Sequence, residues 1–472
     1  IEKGTKNEFY TVNLFSDYSR QLGDHYFKVM GGFNAEHQNV RTLSAQRDGI
    51  IVPDLPTIDT STEQDVAGGG YNHWATAGFF GRLNYNYKEK YLLEVNGRYD
   101  GTSRFMKDQR WNFFPSFSLG WNVARENFWK PLESVVNQFK LRGSWGELGN
   151  QNTSNLYPFY EILPVKSNTA DIPSLVSTLL TWERVRSFNV GFDFGAFSNR
   201  LTGSFDYFVR KTVDMVGPAP QLPLVLGIAP AIVNNADMKS YGFEIELSWR
   251  DRIGEVDYGV KFNLADAQQK VVKYPNTTNA FSDWYAGKMS GEIWGYTSLG
   301  IAKTDEEMKE HLASLPNGGQ NQLGNKWGAG DIMYADINGD GKVDGGKGTL
   351  ADPGDQRIIG NSTPRYNFGL VLDASYKGFD VSIFFQGVGK RDYAPIVGTN
   401  GAVFWGAVNN IWQSMAMEEH FDYFRPEGHP MGANLNGYYP RPDFTSNKNH
   451  QVQTRYLQDA SYIRLKNLQI GY

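Results

Sequence analysis

The chain has 472 residues and no cysteine, and its 46 Lys and Arg against 51 Asp and Glu leave a formal charge of −5. These figures exclude a disulfide scaffold and a cysteine-held zinc site, and a slightly acidic chain is a poor match for a nucleic-acid backbone. Mean hydropathy is negative and no apolar run reaches the ~18 residues of a spanning helix.

A strict period of two then predicts strands along the chain. The first two lie near residues 9–19 and 25–35. The third covers 76–88, where Arg82, Asn84, Asn86 and Lys88 alternate with Leu83, Tyr85 and Tyr87. In 90–100, Leu93, Val95, Gly97 and Tyr99 oppose Glu94, Asn96, Arg98 and Asp100. Segments 114–123 and 138–147 come next, then 186–195, with Phe188, Val190, Phe192 and Phe194 on one face. Strands at 200–211, 240–250 and 256–264 follow, then a hairpin of 364–376 with 378–388, and a last strand at 461–472. Soluble strands average about 5–6 residues, whereas a strand crossing a bilayer at a tilt needs about 9–11. One face is aromatic and aliphatic and the other is charged, as in a wall between lipid and water. The fold class expected is all-β, a large transmembrane antiparallel β-barrel in a lipid bilayer, with 13 of its strands in this chain.

The connections agree. Short ones (20–24, 88–90, 196–199, 251–255, 377) alternate with long ones (36–75, 101–113, 148–185, 212–239, 265–363, 389–460), and 124–137 is intermediate where a short one is due. Membrane barrels have short periplasmic turns and long extracellular loops. Thirteen strands leave the two ends on opposite sides, whereas single-chain bacterial barrels have an even number. Either a strand escapes the pattern or the sequence is part of a larger barrel, and the second reading is favoured.

The long loops carry the smaller signals. Thr304 and Glu307 form a capping box that predicts a helix to about Leu315. A second helix is expected from Ala407 to His420, and the proline-rich run Gln221 to Ala236 reads as loop. Trp111, Trp284, Tyr285, Trp294, Trp405, Trp412 and Tyr438 are candidates to stack on sugars or bury a partner, with belt anchoring or loop packing as the ordinary reading. Asp336, Asn338, Asp340, Lys342 and Asp344 stand at positions 1, 3, 5, 7 and 9 of a calcium-type loop, with Gly341 at the sharp turn. Oxygens at these positions, with a backbone carbonyl at Lys342, suit Ca²⁺ (or Mg²⁺) as a brace. Position 12 is Lys347, so Asp352 or Asp355 would have to supply the missing carboxylate. The seven histidines show no metalloprotease or deaminase spacing, no phosphate-cradling or serine-nucleophile motif is present, and Gly68-Gly69-Gly70 reads as a flexible loop. No enzyme is expected and no catalytic residue is assigned.

Several stretches resemble the SusC/RagA family of TonB-linked outer-membrane proteins. They are Tyr91-Leu92-Leu93-Glu94 leading to Asp100-Gly101-Thr102-Ser103-Arg104-Phe105, then Phe114-Pro115-Ser116 and Gly120-Trp121. Leu141 to Gly146 with Gly149-Asn150-Gln151, and Trp182-Glu183 with Asn189 to Asp193 and Asn199 to Ser204, continue the pattern. The calcium-like loop, flanked by Gly330-Asp331 and by Ile358 to Asn361 and Pro364, and then Tyr462 to Asn467 with Gly471-Tyr472, complete it. The resemblance implies a 22-stranded barrel closed inside by an N-terminal plug. It implies a SusD-like lipoprotein as a lid and a TonB energy-transducing complex pulling on a periplasmic box. The implied activity is outer-membrane import of a large nutrient, an oligosaccharide or oligopeptide. The alternative is a barrel that serves as a binding or assembly scaffold without transport. Plug, TonB box and closing strands are not recognised in residues 1–472, and no substrate-binding residue is assigned.

Overall fold

The computed structural model describes residues 1–151, 153, 155–161, 165–166, 169–170, 175–218, 230–395, 404–405, 417–443 and 448–472. Thirteen long strands lie in chain order in one antiparallel sheet. They are β1 (Glu2–Leu22), β2 (His25–Gln46), β3 (Val66–Tyr87), β4 (Tyr91–Thr102), β5 (Trp111–Asn122), β6 (Val136–Asn150) and β7 (Glu183–Ala196). The series continues with β8 (Leu201–Val216), β9 (Asn234–Ile253), β10 (Val256–Lys273), β11 (Arg365–Tyr376), β12 (Phe379–Lys390) and β13 (Tyr462–Gly471). Each predicted strand is present. The difference is length: β1, β2 and β3 run 21, 22 and 22 residues. Their added residues lie at the ends away from the short turns. There the strands run past the apolar band, so side chains stop alternating, yet the backbone ladder continues, with Lys3 opposite Ser44 and Thr42 opposite Gly70. Periodicity reports the environment of the side chains and not the extent of the hydrogen bonds. Of the run expected as loop, 221–229 lie outside the described residues, and its last residues differ from the expectation because β9 begins at Asn234.

The tight turns are built for reversal. Gly23, at φ +59°, sits between Leu22 and His25, and Lys88 and Glu89 both take left-handed φ values of 54° and 52° before Tyr91. Such backbone matches the twist of a short hairpin. The 124–137 connection is longer because it folds into 3-10 turns at Val123–Arg125 and Asn127–Leu132. Glu126 there accepts hydrogen bonds from the Tyr91 hydroxyl (2.7 Å), the Lys90 ammonium (2.9 Å) and the Trp121 indole N–H (3.2 Å). These donors hold its carboxyl down at about 2.

The chain divides into two compact units, residues 1–243 with 273–275, and residues 244–272 with 276–472. In the first, register fixes which side chains share a face. Leu83, Val95, Phe117 and Trp145 stand in one rung, and Leu93, Leu119, Gly143 and Val190 in another. Phe139, Phe194, Phe192 and Phe205 extend the same face. Its large residues are open: Leu119 is 58% exposed and Phe188 48%. A contiguous apolar face of this size is a lipid-facing surface. Aromatic pairs edge it near the short turns, Tyr91 stacking on Trp121 at 6.5 Å, and near the long loops, Tyr99 on Trp111 at 5.1 Å. In the second unit Phe262, Leu370 and Phe385 continue from strand to strand in the same way. A bulge between Phe384 and Phe385 absorbs one residue of β13. It keeps Leu465 and Leu468 on one face although they are three apart.

Candidate functional site

In the first unit the face opposite the lipid side is polar. Arg142 on β6 reaches two carboxylates, Asp193 on the adjacent β7 (Nη2 to Oδ1, 3.0 Å) and, across β7, Asp206 on β8 (Nη2 to Oδ2, 2.6 Å). Gly191 makes this possible, because a Cβ there would lie 2.6 Å from the Asp206 carboxylate. Glu94 accepts from Asn84 (2.6 Å) and Asn96 (2.9 Å), and Asn189 donates to the Ser144 hydroxyl at 3.2 Å. Asn84, Glu94, Arg142, Ser144, Asn189 and Asp206, with Lys140 and Ser118, border a concavity of about 450 Å³. Such a wall suits water, a polar ligand or a polar protein surface.

In the second unit the two long loops fold together. Glu292–Gly295 pairs with Arg357–Asn361, Ser298–Ile301 with Ile332–Tyr334, and Asp392–Tyr393 with Gln458–Asp459. Helix α1 (Asp305–Ala313) starts where the capping box predicts: the Thr304 hydroxyl accepts from the Glu307 N–H at 3.1 Å. The Glu307 carboxylate reaches one residue further back and accepts from Lys303 N–H at 2.6 Å. The expected helix at 407–420 lies largely outside the described residues; Glu418–Phe421 is a 3-10 turn. Around Tyr334 and Tyr456 the loops have their own apolar core, which includes Tyr296, Ile332, Val343 and Trp405.

Beside this core lies an ion cluster around a buried carboxylate. Asp331, fully buried, accepts from Arg441 (Nε 2.7 Å, Nη2 2.6 Å), Lys448 (2.9 Å), Asn449 (2.9 Å) and the Gly328 N–H (2.9 Å). Asn449 in turn accepts from Ile332 N–H at 2.9 Å, and the Tyr334 hydroxyl donates to the Lys448 carbonyl at 2.7 Å. Residues of the 274–364 connection are thereby tied to residues of the 391–461 connection. No local motif marks this cluster, since the partners stand more than a hundred positions apart in the chain.

The calcium-type loop is ordered by its own hydrogen bonds. Asp336 accepts from Gly339 N–H (2.6 Å) and Gly341 N–H (2.8 Å), Asn338 from Asp340 N–H (3.0 Å), and Asp340 from Lys342 N–H (3.2 Å). Asp344 takes Gly346 N–H at 2.7 Å and the Lys342 ammonium. That ammonium holds the Asp344 carboxyl below the usual carboxylate range. Asp355, fully buried, turns to Ile337 N–H and Asp344 N–H, both at 2.8 Å. Among the described residues, no three His, Cys, Asp or Glu side chains converge to hold a metal ion.

The candidate aromatics divide. Trp405 is buried in the loop core with Tyr438 packed against it, Trp294 stacks on Phe281 at 4.6 Å, and Tyr285 donates to Glu292 at 2.5 Å. Trp111 belongs to the lipid-side aromatic edge, Trp284 is partly buried in the 274–364 connection, and Trp412 lies outside the described residues. For Trp111, Trp294 and Trp405 the contacts are those of packing and anchoring.

The model of the family described as "TonB dependent receptor-like, beta-barrel" matches residues 2–472. TonB-dependent receptor P3 of Formosa agariphila is 27% identical over 98% of this chain and 45% of its own length. TonB-dependent receptor SusC of Bacteroides thetaiotaomicron is 24% identical over 98% of this chain and 44% of its own. The solved RagAB peptide transporter superposes with a TM-score of 0.77 at 19% identity, over 99% of this chain and 49% of that one. The chain spans a little under half the length of these relatives.

Proposed function

The chain belongs to the TonB dependent receptor-like β-barrel family of bacterial outer-membrane proteins, and from that premise we propose that the receptor it contributes to imports an oligosaccharide or oligopeptide. The observation that carries the proposal is the two-faced sheet: an open apolar face backs onto an ion-paired polar wall around Arg142. A wide barrel leaves a lumen that must be plugged, so uptake needs work delivered from the TonB complex. The folded loop core offers a firm platform on which a SusD-like lipoprotein would sit. The structurally similar RagAB complex is a peptide transporter, whereas the names of SusC and receptor P3 specify no substrate, so both substrate classes belong in the test.

The test is accumulation of labelled oligopeptides and oligosaccharides by cells carrying the full receptor, with and without TonB. Import predicts accumulation of one class that is lost without TonB. A scaffold without transport predicts surface binding that is the same in both strains.

We also propose that the 336–344 loop takes Ca²⁺, through side-chain oxygens of Asp336, Asn338, Asp340 and Asp344 and the carbonyl of Lys342. The ammonium of Lys342 must then leave Asp344. Lys342→Met is therefore expected to raise Ca²⁺ affinity about tenfold, or ~1.4 kcal/mol, and Asp336→Ala to abolish it. Terbium luminescence with calcium competition on the full receptor reads both. No calcium-sensitive signal in the wild type or in Lys342→Met would end the proposal.

A further inference from the structure

We propose that Lys6, Arg41 and Tyr71 form a site for the phosphate group of an outer-leaflet lipid. Register puts Lys6 opposite Arg41, and Arg41 opposite Tyr71. By the period of two, this rung lies on the lipid-facing side. Below it on β1 are Val12, Leu14 and Tyr18, on β2 Val29, Phe33 and Ala35, and on β3 Ala77, Phe79 and Leu83. The apolar column of β2 from Phe27 to Ala35 is nine residues long, which matches the about 9–11 of a tilted crossing. Tyr10 and His37 then mark its upper edge, opposite each other. Lys6 follows four residues above Tyr10, about 13 Å along the strand and about 10 Å of height at a tilt of ~40°. Long basic side chains from that level reach back toward the headgroups.

The rung is shaped as well as charged. Gly4 and Gly69 flank Leu43, and the missing side chains leave a concavity of about 730 Å³ bordered by Lys6, Arg41 and Tyr71. The Arg41 guanidinium lies 5.4 Å from the centre of the Tyr71 ring and, among the described residues, donates no hydrogen bond. Its planar fork is free to grip a phosphate in bidentate fashion. Lys6 is paired with Glu8 at 2.6 Å, so an arriving phosphate competes with that carboxylate. Leu43, 68% exposed, supplies an apolar contact for a sugar face beside the phosphate.

The test uses the full receptor, purified and stripped of lipid, and native mass spectrometry with phosphorylated lipid A as the probe. The wild type is expected to bind it at least tenfold more tightly than K6A/R41A, and at least tenfold more tightly than it binds dephosphorylated lipid A. E8Q is expected to bind more tightly than the wild type, because it frees Lys6. Inorganic phosphate at the same concentration is expected not to compete. Retained heat-dependent gel mobility shows that each variant is folded. Equal binding by wild type and K6A/R41A, or by both lipid forms, would overturn the site. Full competition by inorganic phosphate would overturn its assignment to a lipid.

Discussion

Asp331→Ala is expected to loosen both long loops together while the membrane strands stay folded. Asp331 carries the negative charge against which Lys448 and Arg441 are placed, and Lys448 is almost wholly buried beside it. Removing the carboxylate leaves the buried ammonium with the Asn325 and Lys326 carbonyls, the Trp327 ring 5.2 Å away and the Asp443 carboxylate at 3.8 Å, in place of its close ion pair. Breaking a buried pair from one side costs about 3–5 kcal/mol, a large share of the stability of any loop unit of this size. The loss is local because the loop core around Tyr334 and Tyr456 is a cluster of its own, and such units open independently. Hydrogen exchange on the full receptor checks this. Protection is expected to fall for Ile332, Tyr334 and Asn449 amides together and to hold for the backbone of β4 and β5. Asp331→Asn, which keeps the shape and one acceptor, is expected to show the same pattern at smaller amplitude.

The second large effect is a contrast between neighbours on β4. Val95→Arg is expected to destabilise the receptor by about 2–4 kcal/mol, and Asn96→Arg by less than about 1 kcal/mol. Val95 stands between Leu83 and Phe117 on the face read as lipid-facing, and Asn96 between Arg82 and Ser116 on the polar face. A guanidinium at the centre of the apolar band has no partner, whereas on the other face it joins Glu94 and water. Unfolding in bilayers, followed by gel mobility in rising denaturant, reads the difference. Equal costs at the two positions would mean that the sheet does not separate lipid from water.

Much of the wall was legible in the sequence because lipid and water impose opposite chemistry on alternate residues. Leu93 and Glu94 announce their faces without any structure. The strand extensions were not legible, because Lys3 to Asn7 and Val40 to Ser44 lie beyond the apolar band and lose the alternation. The hairpin ends at Gly23 and at Lys88-Glu89 followed from spacing, since a two- or three-residue link between long strands has few conformations. The helix at Asp305 followed from Thr304 and Glu307, a local signal. The Asp331 cluster was illegible for the opposite reason: Arg441 and Lys448 reach it only after two loops fold on each other. The Asp336 motif was visible as a turn, but the insertion of the Lys342 ammonium between Asp344 and Asp340 depends on side-chain packing that a motif does not carry.

The central claim is that these strands are a membrane wall with a lipid face and a wet face. The chain has no cysteine, so single cysteines placed in turn at positions 92 to 98 of β4, in a receptor with no other, can each carry a spin label. Accessibility to oxygen, which partitions into lipid, and to a water-soluble nickel complex is then measured in bilayers. The expected result is a period of two, with oxygen favoured at Leu93, Val95 and Gly97 and nickel at Glu94, Asn96 and Arg98. A flat profile, or equal access of both reagents to all seven positions, would contradict it.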